Sequence, residues 1–251
     1  TVEDDDDDDQ VTVFINTYRL SAGSADLTNT GGDVFNLDSD SDDTIVDQER
    51  GQHTFADDLI DSGDYDLEVE AGDVDEGPGG SPGIDSSDDV ATVTLNERGT
   101  ENIQMWTGSD DELGSVSDLE DVNDALSEGT ITQSDEIAVG DRAVHQIQAT
   151  GLEGLLDARA QEDVTGTFLS QETNAGVLNL TIEEADPGAN QDARELNLST
   201  QNLSVIADGP NDTYFVIVDT GDVNFNDPGT TTPLPSDDDT ALETNFTIQQ
   251  D

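Results

Sequence analysis

Lysine is absent from the chain, and six arginines stand against 61 aspartates and glutamates, a formal charge of −55 over 251 residues. Self-repulsion of this size opposes any compact state, and proteins adapted to concentrated salt carry such a surface as a solubility device. In dilute buffer the Debye length is about 10 Å, so neighbouring carboxylates feel one another; near 1 M salt it falls to about 3 Å and most of the repulsion is screened. Leaving out lysine also removes long apolar stems from the surface. The composition is that of an extreme halophile, folded in molar salt.

The competing outcome for so charged a chain is disorder. Leu, Ile, Val and Phe number 58 of 251 residues, just above the roughly 20% below which a highly charged chain does not fold, and the local patterns below favour folding. The length fits one or two domains. Without cysteine, disulfides, thiolate metal sites and thiol catalysis are excluded. The longest apolar run, Tyr214 to Val218, is far too short to span a membrane. With no initiator methionine and no basic leader, the chain reads as a processed or excised segment. Its acidity argues against nucleic acid as a partner, since phosphate would be repelled.

Residues 1–9, with six consecutive aspartates from Asp4 to Asp9, read as a solvated acidic tail or linker. Val11, Val13 and Ile15 then alternate with Thr12, Phe14 and Asn16. Tyr65, Leu67, Val69 and Ala71 alternate with Asp64, Asp66, Glu68 and Glu70, one face buried and the other acidic. After a Gly/Pro/Asp loop from Gly77 to Gly83, Ala91, Val93 and Leu95 alternate with threonines. Short strands between Gly/Asp/Ser turns predict an immunoglobulin-like β-sandwich over residues 10–98. Residues 99–251 predict a second β-rich domain with one or two short helices, so that the fold class is mainly β, in tandem sandwiches. Ser117 to Glu120 fits a capping box. Leu119, Val122 and Leu126 follow on one helical face, and Gly129 suits a left-handed C-terminal cap. Leu152, Leu155 and Leu156 predict a second, shorter helix. Strands are predicted at Val144–Ala149, Val177–Glu183, Glu195–Leu198, Tyr214–Asp219 and Thr244–Ile248, with Tyr214–Val218 central and covered on both faces.

Five Asn-x-Ser/Thr glycosylation sequons occur, at Asn179, Asn197, Asn202, Asn211 and Asn245. Fifteen asparagines and 44 Ser or Thr in the chain produce about three such triplets by chance, so the motif alone is weak. All five fall in the last 73 residues, and Asn179, Asn197 and Asn245 take the outward phase of their strands, as a glycan requires. Asp38, Asp40, Asp42, Ile45 and Glu49 match positions 1, 3, 5, 8 and 12 of an EF-hand-type loop that would take Ca²⁺ or Mg²⁺ as its cofactor. Asp43 stands where that loop needs glycine, however, and no helical pattern flanks it, so a solvated acidic turn is the plainer reading. His53 and His145 lack the spacing of metal ligands, and His145 reads as a sheet-face residue. Carboxylate pairs are too abundant for any one to stand out as acid and base. Nucleophile elbows and phosphate loops are missing. Trp106 reads as a packing residue, and no catalytic residue emerges.

Val90–Gly108, Gly140–Ala158, Leu178–Ser199, Ile206–Phe225 and Glu243–Ile248 resemble a module of haloarchaeal secreted surface glycoproteins related to the S-layer glycoprotein. The resemblance covers some 160 residues. It implies export, N-linked glycans, modular β-sandwich domains and, in full-length members, a C-terminal anchoring tail. The expected function is that of a non-enzymatic, extracellular structural module that self-associates or meets other surface proteins to build a layer or filament. Cohesion would come from edge-strand pairing or apolar patches, together with divalent cations bridging acidic faces. The alternatives are an adhesin or ligand-binding module whose end loops carry function and, less favoured, an accessory domain of a secreted hydrolase.

Overall fold

A computed structural model describes residues 2–4, 10–18, 34–37, 43–45, 60–70, 87–157, 163–170, 178–227, 230–235 and 240–248. The chain forms two compact units. One comprises Thr1–Glu97 with Asp157–Ala160 and Asp251, the other Arg98–Leu156 and Gln161–Gln250. The whole is mainly β, with a few short helices and several sheets.

In the first unit the described strands are β1 (Val2–Glu3), β2 (Val13–Ile15), β3 (Phe35–Leu37), β4 (Thr44–Ile45), β5 (Gly63–Val69) and β6 (Asp89–Leu95). They pair as antiparallel ribbons, β1 with β4, β2 with β3 and β5 with β6, a make-up compatible with the predicted immunoglobulin-like sandwich. The alternation read from the sequence sets the register of the β5–β6 ribbon. Tyr65 opposes Val93 and Leu67 opposes Ala91 on one face, while Asp64 opposes Thr94 and Asp66 opposes Thr92 on the other. On that acidic face Thr94 donates to Asp64 at 2.7 Å and Thr92 to Asp66 at 3.2 Å. The apolar face is less covered than the alternation predicts. Leu67 and Val69 are exposed, because a two-stranded ribbon supplies no second layer of its own. Ala71 lies outside the described residues.

The second unit runs β7 (Gly99–Gly108), α1 (Asp110–Leu113), α2 (Leu119–Glu128), β8 (Thr132–Gln133), β9 (Arg142–Thr150), α3 (Glu153–Asp157), α4 (Val164–Ser170), β10 (Leu178–Glu184), β11 (Leu203–Asp208), β12 (Thr213–Asp219), β13 (Asn224–Asp227), β14 (Thr230–Pro233) and β15 (Leu242–Ile248). Five strands make its main sheet, in the antiparallel order β11–β12–β9–β7–β8. One face of that sheet presents Val144, Ile206, Phe215 and Ile217 to Leu113 of α1 and to Val122 and Ala125 of α2, with Trp106 packed at the margin. The opposite face turns His145, Ile147, Tyr214 and Val216 inward, and β15 lies over it, Thr244 within 3.0 Å of His145. Phe168 of α4 stacks on Phe246 of β15 at 6.0 Å, closing the same layer. All of Thr213–Val218 is buried, so the predicted double cover of β12 is observed, although the middle place in the sheet belongs to β9.

The second layer is built on β10 and β15, antiparallel over seven residue pairs from Leu178↔Ile248 to Glu184↔Leu242. The other edge of β10 meets the 194–197 segment through the bridge Glu183↔Glu195 and the bond from Leu196 N to Ile182 O. That segment in turn bridges to β13 at Leu196↔Phe225, so the predicted strand Glu195–Leu198 is reduced to a pair of bridges. Arg194 fastens the junction, donating to both oxygens of Glu184 at 2.9 and 2.6 Å and stacking on the Phe225 ring at 4.1 Å. Leu178, Leu180, Ile182, Leu196, Phe225, Phe246 and Ile248 are all buried. Burying one such aliphatic or aromatic side chain contributes about 1.5–3 kcal/mol, so this inner phase is what holds the layer to the main sheet.

Helix α2 starts one residue later than the sequence predicts. Its N-cap is Asp118, whose carboxylate accepts from Asp121 N at 3.0 Å, and the Asp121 carboxylate accepts in turn from Ser117 N at 2.9 Å. Asp caps as well as Ser, so the box closes on Asp118 and Asp121 in place of Ser117 and Glu120. Gly129 ends the helix at φ +73°, left-handed as predicted.

Candidate functional site: outward sequons on the second layer

The inner phase of β10 and β15 fixes the outer one. With Leu178, Leu180 and Ile182 buried, Asn179 is exposed, and with Phe246 and Ile248 buried, Asn245 is exposed. Period-2 geometry sends both amides to solvent. The register then opposes Asn179 to Thr247 and Thr181 to Asn245. The two sequons therefore lie side by side, each asparagine against the hydroxyl residue of the other. Asn197 is exposed in the same phase, beyond buried Leu196 and one strand from Thr181.

The remaining two sequons differ. Asn202 is buried, its amide nitrogen donating to Asn197 O at 2.9 Å and its oxygen accepting from Ser199 N at 2.8 Å. It shapes the turn into β11, a role that a sequon match does not reveal. Asn211 is exposed in the 3₁₀ turn Gly209–Asn211, and its amide is held by both Asp208 oxygens at 2.9 and 3.0 Å.

Asp38, Asp40, Asp42 and Glu49 of the EF-hand-type match lie outside the described residues, as does His53. Among the described residues no group of three or more His, Asp or Glu is placed to hold a metal ion. His145 is buried in the sheet, where desolvation pushes its imidazole down to about 4 against a smaller opposing contact with Val216. It is neutral at neutral pH. The Tyr214 phenol is pushed up by burial and by the carboxylates of Asp212, Glu153 and Asp208. Arg194 holds the Glu184 carboxyl below its ordinary value, and desolvation opposes this only in part. Trp106 Nε1 donates to Gln146 at 3.0 Å, a packing role as read from the sequence. No helix among the described residues is long and apolar enough to cross a membrane.

Residues 1–72 match a family model described as a domain of unknown function (DUF7827). The chain is 35% identical to the "Cell surface glycoprotein" of Haloferax gibbonsii, with 100% of the chain aligned to 26% of that protein. It is 34% identical to "Cell surface glycoprotein 2" and 35% identical to "Cell surface glycoprotein 1" of Haloarcula hispanica, with 99% of the chain aligned to 27% of each. The chain thus spans about a quarter of the length of these relatives. No solved structure matches it. Aligned from end to end at about a third identity, the chain is homologous to one segment of the haloarchaeal cell surface glycoproteins and is a module of an extracellular, cell-surface protein.

Proposed function

We propose that the chain is a structural, non-enzymatic module of a surface layer or filament, N-glycosylated on its outward sequons and joined to its neighbours by divalent cations. The observation that carries this reading is the end-to-end match to proteins named cell surface glycoproteins. The charge supports it. Monovalent salt screens the repulsion between modules of −55 but supplies no attraction, whereas Ca²⁺ takes six to eight oxygen ligands in flexible geometry and can draw them from two acidic faces at once. Asp38, Asp40, Asp42 and Glu49, spaced like the ligands of a calcium loop, are the candidates that the sequence offers for such a bridge.

Chelator added at constant molar NaCl tests this. Surface assemblies should loosen or dissolve in electron micrographs while circular dichroism shows each unit still folded. Assemblies that survive excess chelator would assign cohesion to strand pairing or apolar contact. Purified chain that stays monomeric at high concentration with calcium and magnesium present would favour the adhesin or ligand-binding reading.

A further inference from the structure

The outer face of β10 and β15 differs from that of β5. On β5 the polar phase is Asp64, Asp66 and Glu68, carboxylates at every position. On β10 and β15 the corresponding phase holds Asn179, Thr181, Thr247 and Asn245, and carboxylates return only at the far end, with Glu183 opposite Glu243. Along these two strands the carboxylates are missing where two sequons interlock and a third lies one strand away. We propose that Asn179, Asn197 and Asn245 make up a single glycan-carrying face, and that the module turns this face to solvent and away from its neighbours. The proposal rests on the surface-module reading above.

Diagonal neighbours on paired strands sit about 7–8 Å apart, which fixes the spacing of Asn179 and Asn245. Asn197, on the far side of β10, is about 10 Å from Asn245, two strand spacings across. Chains rooted that close overlap and cover the polar face between them. Their hydroxyls add hydration to a stretch of the outer phase of these strands that carries no carboxylate. A face so covered has no flat surface left for a protein neighbour, which leaves lateral contacts to the remaining surfaces.

The chemistry also sets an order of events. In attachment, the anomeric C–O bond of an activated glycosyl phosphate breaks as a C–N bond forms to the asparagine amide nitrogen. One amide proton goes to solvent and the phosphate carrier departs. The transferase must handle the triplet as free chain, yet in the fold both triplets are locked into one ladder. Transfer therefore precedes the docking of β15 on β10. A sugar on the outward phase then leaves the inner phase free to pack. One on Asn202 would break its two turn bonds and could not be buried.

The chain exported by a haloarchaeal host provides the test, through site-resolved glycopeptide mapping and periodate–hydrazide labelling of sugars on intact cells. The expected map has glycans on Asn179, Asn197 and Asn245 with Asn202 bare. The triple variant N179Q/N197Q/N245Q should keep its dichroism spectrum and lose most of the carbohydrate mass. Labelling should reach these glycans equally on intact cells and in dissociated protein. The three asparagines bare in protein recovered from the surface would overturn the proposal and leave the surface reading intact. Glycans reachable only after dissociation would overturn the orientation. Protein absent from the surface would overturn both readings.

Discussion

His145 shows how a single side chain ties this fold to pH. Its ring is buried between the two layers and bonded through Nε2 to Thr244, and burial holds it at about 4 in the folded chain against an ordinary 6.5. A lowered value means that the unfolded chain takes up the proton first. The stability contributed by the neutral ring is complete above pH 6.5 and drains away as the pH falls towards 4. Each tenfold change in proton affinity is worth about 1.4 kcal/mol, so the full window amounts to about 3 kcal/mol. Urea melts in molar salt should lose stability between pH 6.5 and 5 in the native chain, and His145→Gln should flatten that slope. An unchanged slope would place the pH sensitivity elsewhere. The Glu184–Arg194 pair acts in the same direction at lower pH, since a depressed carboxyl loses its contribution as it is protonated. Arg194 also shows why lysine would not substitute. Its fork meets both Glu184 oxygens while its plane covers Phe225, and Arg194→Lys keeps neither geometry. That variant should lower the urea midpoint by an amount equivalent to about 1 kcal/mol.

Among the elements, α2 offers the sharpest test because its two ends rest on separate physics. Asp118→Ala removes the acceptor for Asp121 N and should cost about 1 kcal/mol. Gly129→Ala meets nothing within 4 Å, so its cost of about 1–2 kcal/mol is purely that of a left-handed backbone. Both costs should appear in urea melts and should add, since the sites lie at opposite ends of the helix and share no partner. The elements legible in the sequence were those with one clean period. β9, β10, β12 and β15 declare themselves by alternation or by an unbroken apolar run, α2 by its caps. β7, at ten residues the longest strand among the described residues, is not legible in the sequence because a bulge between Thr100 and Asn102 breaks its period. In α4, Thr165-Gly166-Thr167 is poor helix sequence, and that helix stands because Asp163 accepts from Gly166 N at 2.6 Å and Phe168 is fully buried. β11 puts consecutive Val205 and Ile206 into opposite layers, a pattern that reads equally well as helix. The outward sequons were legible for the same reason as their strands. The burial of Asn202 was not, because a triplet is local and the turn that encloses it is tertiary.

At the scale of the whole molecule, charge governs. Repulsion among 61 carboxylates opposed by six arginines must be screened before the apolar layers can hold, so the folded state should be cooperative in molar NaCl or KCl and expanded in dilute buffer. Circular dichroism and melting temperature followed from about 0.05 to about 3 M salt check this, the screening length shrinking more than threefold across that range. A flat response would sink the inference from composition. The two units should not respond alike. Strands β5 and β6 carry exposed Leu67, Val69 and Val90, whereas β12 has all six of Thr213–Val218 buried and a ladder on each side, to β11 and to β9. Amides with that much cover exchange with solvent deuterium only when the entire unit opens. The backbone hydrogens of Tyr214–Val218 are thus a built-in clock of global opening: diluted from brine into heavy water, they should be the last to be replaced, and the salt concentration at which their rate jumps marks the threshold below which the second unit no longer holds together.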